Sequence, residues 1–362
     1  MTALLDDFPP FPVGALRSPL RAAPTRAFPA TSRVTVRYPT RLNAMALDSS
    51  KILPREGEYP AGELLFACAL WRTVEVRVLG PGHSIQIDTE SSHPVVARHA
   101  AAVTATALGI DSSLHVRVQG PALPAHVGLG SSSATMAAVA TAVARTAGLS
   151  LAPRPFIQFL AENHGEEIDG DSARLMPVQC LGGSAAAGLV PAAIQVIAGR
   201  SVPLLGANPE ESYRVVLAHP KDLPHWDAKE SLAAEARSFD GFATTGREHA
   251  REIAYRLVHQ AWPALVDGDL RPLGQLLFDY RFRMGSIANC SFSHPELTSI
   301  ANDIEPVFAD GLADVLSLSS VGPLFFAVTR DPAACERALT SCGLVTSTCR
   351  LWSDGYQASA QE

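Results

Sequence analysis

Apolar and polar positions first fall into a regular order at Arg33, where RVTVRYPTRL alternates in the manner of a half-buried strand. TVEVRVLG repeats the alternation, and SIQID continues it past Gly80, Pro81 and Gly82, which read as a turn. The period then changes. HPVVARHAAAVTATALGI has helical spacing, LHVRVQG returns to strand, and SSSATMAAVATAVARTAG is helical, with Gly148 placed to end it. Beyond residue 190 the pattern predicts a strand at YRVVLAHP and helices across 245–285 and 295–312. Strands at ADVLSLSS and PLFFAVT follow, then a helix over 332–342. Strands and helices mixed in this order predict an α+β fold of two lobes rather than a strict βαβ repeat. The predicted division is an N-terminal lobe over 33–190 and a C-terminal lobe over 191–362. Residues 1–32 carry six prolines and no periodicity, and are read as a flexible arm, either a loose tail or a segment crossing to a neighbour.

Composition narrows the class. With 362 residues, 47% of them hydrophobic, the chain can bury one large core or two modest ones, which excludes disorder for most of its length. The net charge of −7 and the absence of a dense Lys/Arg block argue against a nucleic-acid partner. Of 29 basic residues only Lys51, Lys221 and Lys229 are lysines, a bias that GC-rich coding explains more simply than function. The six cysteines form no CxxC pair, which favours reduced thiols in the cytoplasm over disulfides or zinc. Apolar stretches are all interrupted short of a membrane span, so no membrane partner is expected.

The most informative segment is PAHVGLGSSSATM, residues 124–136. Gly128 and Gly130, on either side of Leu129, let the backbone approach a ligand closely, and Ser131, Ser132 and Ser133 open an Ala-rich helix. First-turn amides without acceptors, hydroxyl donors and the helix dipole all suit an anion. A plain N-capped helix after a flexible turn fits the same letters. No Gly-Lys-Ser/Thr closes the loop, so it is not a Walker A sequence.

GLGSSSA resembles the second motif of the GHMP superfamily of small-molecule kinases, and SLSSVGPLFFAV, residues 317–328, resembles the third. The resemblance implies a two-lobe fold, with a ribosomal-protein S5-like first lobe, a ferredoxin-like second lobe and the active site between them. Within the superfamily the chain is most similar to β-ribofuranosylaminobenzene 5′-phosphate synthase and the related C-nucleoside synthases of antibiotic biosynthesis. The stretches that carry this are TRLNAMALDSS with GELLFACAL, HVGLGSSSA, SSVGPLFFAV and PALVDGDLRPLGQLL. A superfamily kinase usually places an Asp seven residues before the Gly182-Gly183 pair, and here that position is Leu175. The chain also departs from the synthase pattern. Ser132, Ser133, Ala134 and Thr135 stand where Gly-Thr-Gln is common, and no Ser-Gly-Ile-Gly run surrounds Gly182.

The resemblance implies C-ribosyl transfer: 5-phospho-α-D-ribose 1-diphosphate joins an electron-rich aromatic or heteroaromatic carboxylate, with loss of diphosphate and CO2. The product is a β-C-riboside 5′-phosphate of C-nucleoside or pterin-type biosynthesis. It further implies Mg2+ and a homodimer. Gly128 to Ser133, with Ser319, Ser320 and Gly322, are the expected phosphate contacts, Pro323 having a structural role alone. Ser133 with Glu166, Glu167 or Asp169 would hold the metal, unless that acidic run is simply a solvated loop. Arg41, Asp48, Lys51 and Arg174 are the candidate catalytic residues, although Lys51 equally suits a surface position and Arg174 could instead neutralise Asp171. Strand alternation puts Arg41, Asn43 and Met45 on one face, opposite Leu42 and Ala44. His126, His219 and His225 remain ambiguous between loop histidines and proton carriers. The competing functions are an ATP-dependent GHMP kinase and a ligand sensor that retains the fold.

Overall fold

The computed structural model of the chain describes residues 9–52, 59–124, 127–223 and 228–361. In chain order the strands of the first half are β1 (Phe11–Pro12), β2 (Thr25–Arg26), β3 (Arg33–Ala46), β4 (Glu63–Gly80), β5 (Ile85–Ile87), β6 (Ser113–Gln119), β7 (Leu149–Ser150), β8 (Gly165–Ile168) and β9 (Asp171–Pro177). They are followed by β10 (Ile194–Ala198), β11 (Val202–Ala207), β12 (Arg214–His219), β13 (Val315–Leu318), β14 (Phe325–Thr329), β15 (Val345–Arg350) and β16 (Gln357–Gln361). The helices that matter below are α1 (Pro94–Leu108), α2 (Ser131–Thr146), α3 (Pro153–Asn163), α4 (Gly183–Leu189), α5 (Ala228–Ala236) and α6 (Phe239–Arg256).

The first lobe is a seven-stranded sheet in the order β11-β10-β4-β3-β16, with β6 also on β4 and β5 parallel to β6. Val34 and Val36 of β3 sit opposite Val76 and Val74 of β4, and all four are buried beneath α1 and α2. The alternation read from the sequence is therefore the inner face of this sheet. Alanines dominate the buried face of α2, and their small side chains let the helix lie close to the sheet and to α1. The second lobe is an antiparallel sheet, β13-β14-β12-β15, flanked by helices. One apolar cluster spans both lobes, with Phe66 and Phe326 packed edge to face at 5.5 Å. Among the described residues no helix is long and apolar enough to cross a membrane.

Two boundaries differ from the sequence reading. The first-lobe sheet extends past residue 190 through β10 and β11, and β16 returns to it by pairing with β3, Ala358 opposite Val36. The returning strand covers an edge of β3 that would otherwise expose unpaired backbone groups. Residues 9–32 are not a loose arm, because they dock on the first lobe of the same chain. β1 pairs with β9, β2 pairs with β7, and the Gly14 amide donates to His99 Nδ1 at 2.9 Å. Asn163 Oδ1 accepts from the amides of Arg17 and Ser18 at 2.8 and 3.1 Å.

Candidate active site

The pocket between the lobes is lined by the glycine-serine loop, the start of α4, the inner ends of β3 and β4, and the second-lobe helices. Gly128 has φ +89°, and a Cβ there would lie 2.2 Å from the Ser319 carbonyl oxygen, so no side chain fits. Ser319 Oγ donates to the Gly128 carbonyl at 2.8 Å, and the Ser320 amide donates to the Asn43 carbonyl at 2.8 Å. The two glycine-serine segments thus buttress each other, while the start of α2 stays open to the pocket. Gly130, at φ +61°, precedes α2, and no side chain caps that helix. Its first-turn amides face a site that suits an anion.

Arg41 supplies the matching charge. Its Nε and Nη1 are buried without a hydrogen-bond partner, and a Cβ on Gly130 would lie 3.2 Å from its Nη2. The nearest acid is Glu63, whose Oε2 is 3.9 Å from Arg41 Nε. Glu63 is 1% exposed and accepts from Asn43 Nδ2 at 2.6 Å. Its carboxylate also abuts the start of α4, where a Cβ on Gly183 would lie 2.1 Å from Oε1. A buried guanidinium that keeps free donors beside an open helix start is a site built for an anionic ligand.

Glu166 faces the same loop and accepts from Ser132 Oγ at 2.5 Å, with His164 Nε2 at 3.3 Å. Burial pushes its carboxyl up, but His164 and the Ser132 hydroxyl outweigh that and hold it down at about 2. An ionised carboxylate beside a serine hydroxyl fits magnesium, which takes a few protein oxygens and fills its shell with ligand phosphates. Among the described residues no cluster of three or more His, Cys, Asp or Glu could hold a metal alone, so phosphate oxygens would have to complete the shell.

Several expected site residues stand elsewhere. Ser133 Oγ donates to the Gly130 carbonyl at 3.0 Å and lies 2.8 Å from Ser184 Oγ, so Ser132 rather than Ser133 stands beside the acid. Glu167, next in a strand, points the other way and accepts from the amides of Val95 and Val96 at 2.7 and 2.9 Å, capping α1. Asp169 does not line the pocket. Arg174 is exposed on β9 and bonds Asp171 at 2.7 Å, outside the pocket. Asp48 caps a short 3-10 turn by accepting from the Ser50 amide at 3.0 Å, and Lys51 Nζ lies 5.6 Å from the Tyr59 ring centre. Neither Asp48 nor Lys51 lines the pocket. Met45 is buried, not on the Arg41 face, because a bulge between Asn43 and Met45 reverses the alternation. Leu129, Ser131 and Ser320 line the pocket, whereas Ser319 and Gly322 support the loop from behind. His219 is buried and outside the pocket, and His126 and His225 lie outside the described residues.

The sequence reading missed Glu63, His93, His164, Ser184, Glu235 and Arg281, all of them pocket-lining. Arg281 is spent on the scaffold, with Nε on the Ala44 carbonyl at 3.0 Å, Nη1 on Ser286 at 3.0 Å and Nη2 on the Leu318 carbonyl at 2.7 Å. Cys180 is no nucleophile, since burial pushes its thiol up to about 12. Leu175 is fully buried in the first-lobe core, so no carboxylate reaches the pocket from that position.

Residues 95–183 match the family model described as the GHMP kinases N terminal domain, a stretch that runs from α1 through the loop to the start of α4. The sequence matches no curated protein. Among solved structures, galactokinase of Lactococcus lactis, complexed with galactose, is 13% identical with a TM-score of 0.63, covering 90% of this chain and 95% of its own. A structure described as MDDEF in complex with MVAPP, AMPPCP and magnesium is 13% identical with a TM-score of 0.62, covering 92% of this chain and 100% of its own. Homoserine kinase from Cytophaga hutchinsonii is 14% identical with a TM-score of 0.58, covering 91% of this chain and 98% of its own. The finer likeness to the C-nucleoside synthases rests on the sequence motifs, and these matches do not reach it. Residues 95–183 thus resemble the GHMP kinases N terminal domain, and the two lobes together have the α+β fold of the GHMP kinases.

Proposed function

We propose that the pocket binds a phosphorylated donor through its diphosphate and transfers the donor's ribosyl group to a carbon acceptor. The observation that carries the polyphosphate part is the guanidinium of Arg41, whose buried Nε and Nη1 make no hydrogen bond, beside the open start of α2. In this reading the acceptor's ring carbon supplies an electron pair to C1 of phosphoribosyl diphosphate, and the C1–O pair leaves with diphosphate. The ring then expels its carboxylate as CO2, and the C–C electron pair restores aromaticity. Such a reaction needs charge stabilisation at the leaving group and no base at the acceptor. The carboxylates next to the loop suit it, because Glu63 is tied to Asn43 and Glu166 to Ser132 and His164. Magnesium bound at Ser132 and Glu166 would neutralise the diphosphate charge. Arg41 and the α2 amides would hold the phosphate oxygens, and the Ser319 and Ser320 segment would fix the loop that presents them.

A second reading is an ATP-dependent small-molecule kinase, and the fold comparisons support it better than ribosyl transfer, since the structural relatives described above include galactokinase and homoserine kinase. The two readings share the cradle and differ in every product. Incubation with carboxyl-labelled aminobenzoate or amino-azole carboxylate, phosphoribosyl diphosphate and Mg2+ should release labelled CO2 and diphosphate in equal amounts. ADP formed from ATP, with label retained in the acceptor, would establish the kinase instead. Location in the cytoplasm and a homodimer belong to the same proposal. A monomeric mass at micromolar concentration would remove the dimer.

A further inference from the structure

The part of the pocket wall supplied by the second-lobe helices has a different character from the loop. Leu232 from α5, Phe242 from α6, and Tyr280 and Cys290 from the helices beyond make an apolar wall, broken by the carboxyl of Glu235. The Glu235 carboxyl accepts no hydrogen bond from any described residue, its backbone carbonyl alone accepting, from the Ser238 amide at 2.9 Å. Burial alone pushes it up to about 7, with no cation offsetting that rise. Arg281, on the same wall, already donates to Ala44, Ser286 and Leu318. The neighbouring Cys290 thiol is itself pushed up by burial, to about 11, and brings no charge.

We infer that Glu235 is the specificity-determining residue of the acceptor end, and that it selects a flat apolar ring bearing an N–H donor. A ring that fills the pocket strips water from this carboxyl, so a ligand that donates to it gains what a ligand without the donor forfeits. A site that hydrogen-bonds a substrate N–H rejects the analogue lacking it far more strongly than an apolar pocket rejects a missing methylene. The inference rests on the ribosyl-transfer reading, which requires an electron-rich ring. The amino group that activates the ring carbon is also the group Glu235 would hold, and accepting its N–H leaves more electron density on the ring.

The test pairs ligand and side chain. Binding of 4-aminobenzoate and benzoate, and of an aminopyrazole carboxylate and its deamino analogue, is measured with phosphoribosyl diphosphate and Mg2+ in place. Wild-type protein should prefer the amino member of at least one pair by about tenfold or more. E235L should reduce that preference to within about twofold without changing donor affinity, with E235M, which likewise cannot accept the N–H, as the alternative variant if E235L does not fold. A preference unchanged in a folded variant, or no amino preference in wild-type protein for either pair, would overturn the inference. Failure of the ribosyl-transfer reading shows separately, as a wild-type protein that phosphoribosyl diphosphate does not stabilise. The same ratio is then measured with magnesium-ATP at the donor end and decides the role of Glu235 on its own.

Discussion

Acid should loosen the N-terminal segment through His99, a residue far from the chemistry. His99 is fully buried in α1, where Nδ1 accepts from the Gly14 amide at 2.9 Å and Nε2 faces the Asn163 carbonyl at 2.8 Å. Those partners require the neutral tautomer with its proton on Nε2, because a second proton on Nδ1 would oppose the Gly14 N–H. Burial is the main cause that lowers its pKa from the ordinary 6.5 to about 4, assisted by His164 and Arg17 and opposed by the Asn163 bond. Between those two values the unfolded chain holds a proton that the folded chain refuses. Stability from this group is therefore complete above pH 6.5 and lost progressively as pH falls toward about 4. At about 1.36 kcal/mol per pH unit the loss totals about 3 kcal/mol. Phe11 packs on the His99 ring and Asn163 holds the amides of Arg17 and Ser18, so undocking of residues 9–20 is the first expected consequence. Urea unfolding of wild type and H99Q from pH 8 to pH 4.5, with hydrogen exchange of the Gly14 to Ser18 amides, measures both effects. The glutamine amide can donate and accept without titrating, so H99Q should lack most of the slope between pH 6.5 and 4.5. An equal slope in the two proteins, or Gly14 protection that does not fall with pH after correction for intrinsic exchange, would refute the reasoning.

Gly128→Ala should cost about 1–3 kcal/mol in urea unfolding and lower donor affinity, because Gly128 is at φ +89° and the new Cβ meets the Ser319 carbonyl. Wild-type affinity in a cleanly folded variant would show that the loop does not bind the donor. S132A and E166Q should each lower turnover by about a hundredfold and raise the Mg2+ concentration needed for half-maximal rate. An unchanged magnesium titration would remove both from the metal site. R41M should bind the donor at least about tenfold more weakly than wild type, beyond any loss of stability from leaving the buried Glu63 carboxylate without its cation. A variant that loses stability but keeps donor affinity would make Arg41 structural.

What the sequence made legible is what short-range chemistry decides. The loop Gly128 to Ser133 could be read because positive-φ glycines, hydroxyls and a helix start stand next to one another, and the family match covers the same stretch. The helices α1 and α2 and the alternating strands β3, β4 and β6 followed for the same reason. Residues 9–32 were missed because their docking depends on polar partners such as His99 and Asn163, more than 80 residues away, and leaves little periodicity. The strand β16 is polar and pairs with β3 across the whole chain, so no local pattern marks it. Within the acidic run, Glu166, Glu167 and Asp169 look alike as letters. Only strand parity turns Glu166 to the loop and Glu167 to the amides of α1.

Arg41 shows the limit most clearly. Its charge was readable, and so was its place on a strand, but the unused donors on Nε and Nη1 depend on a bulge, a helix start and the distance to Glu63 on another strand. A charge whose partners lie within the same segment is a structural statement. One buried beside an open helix start with its donors unused requires a ligand to complete it. The same criterion applies to Glu235, whose carboxyl lines the pocket without a hydrogen bond from any described residue. Two groups of opposite sign on the wall of a single pocket, each with hydrogen-bonding capacity unused, fit a reaction between an anionic donor and an acceptor that brings its own N–H.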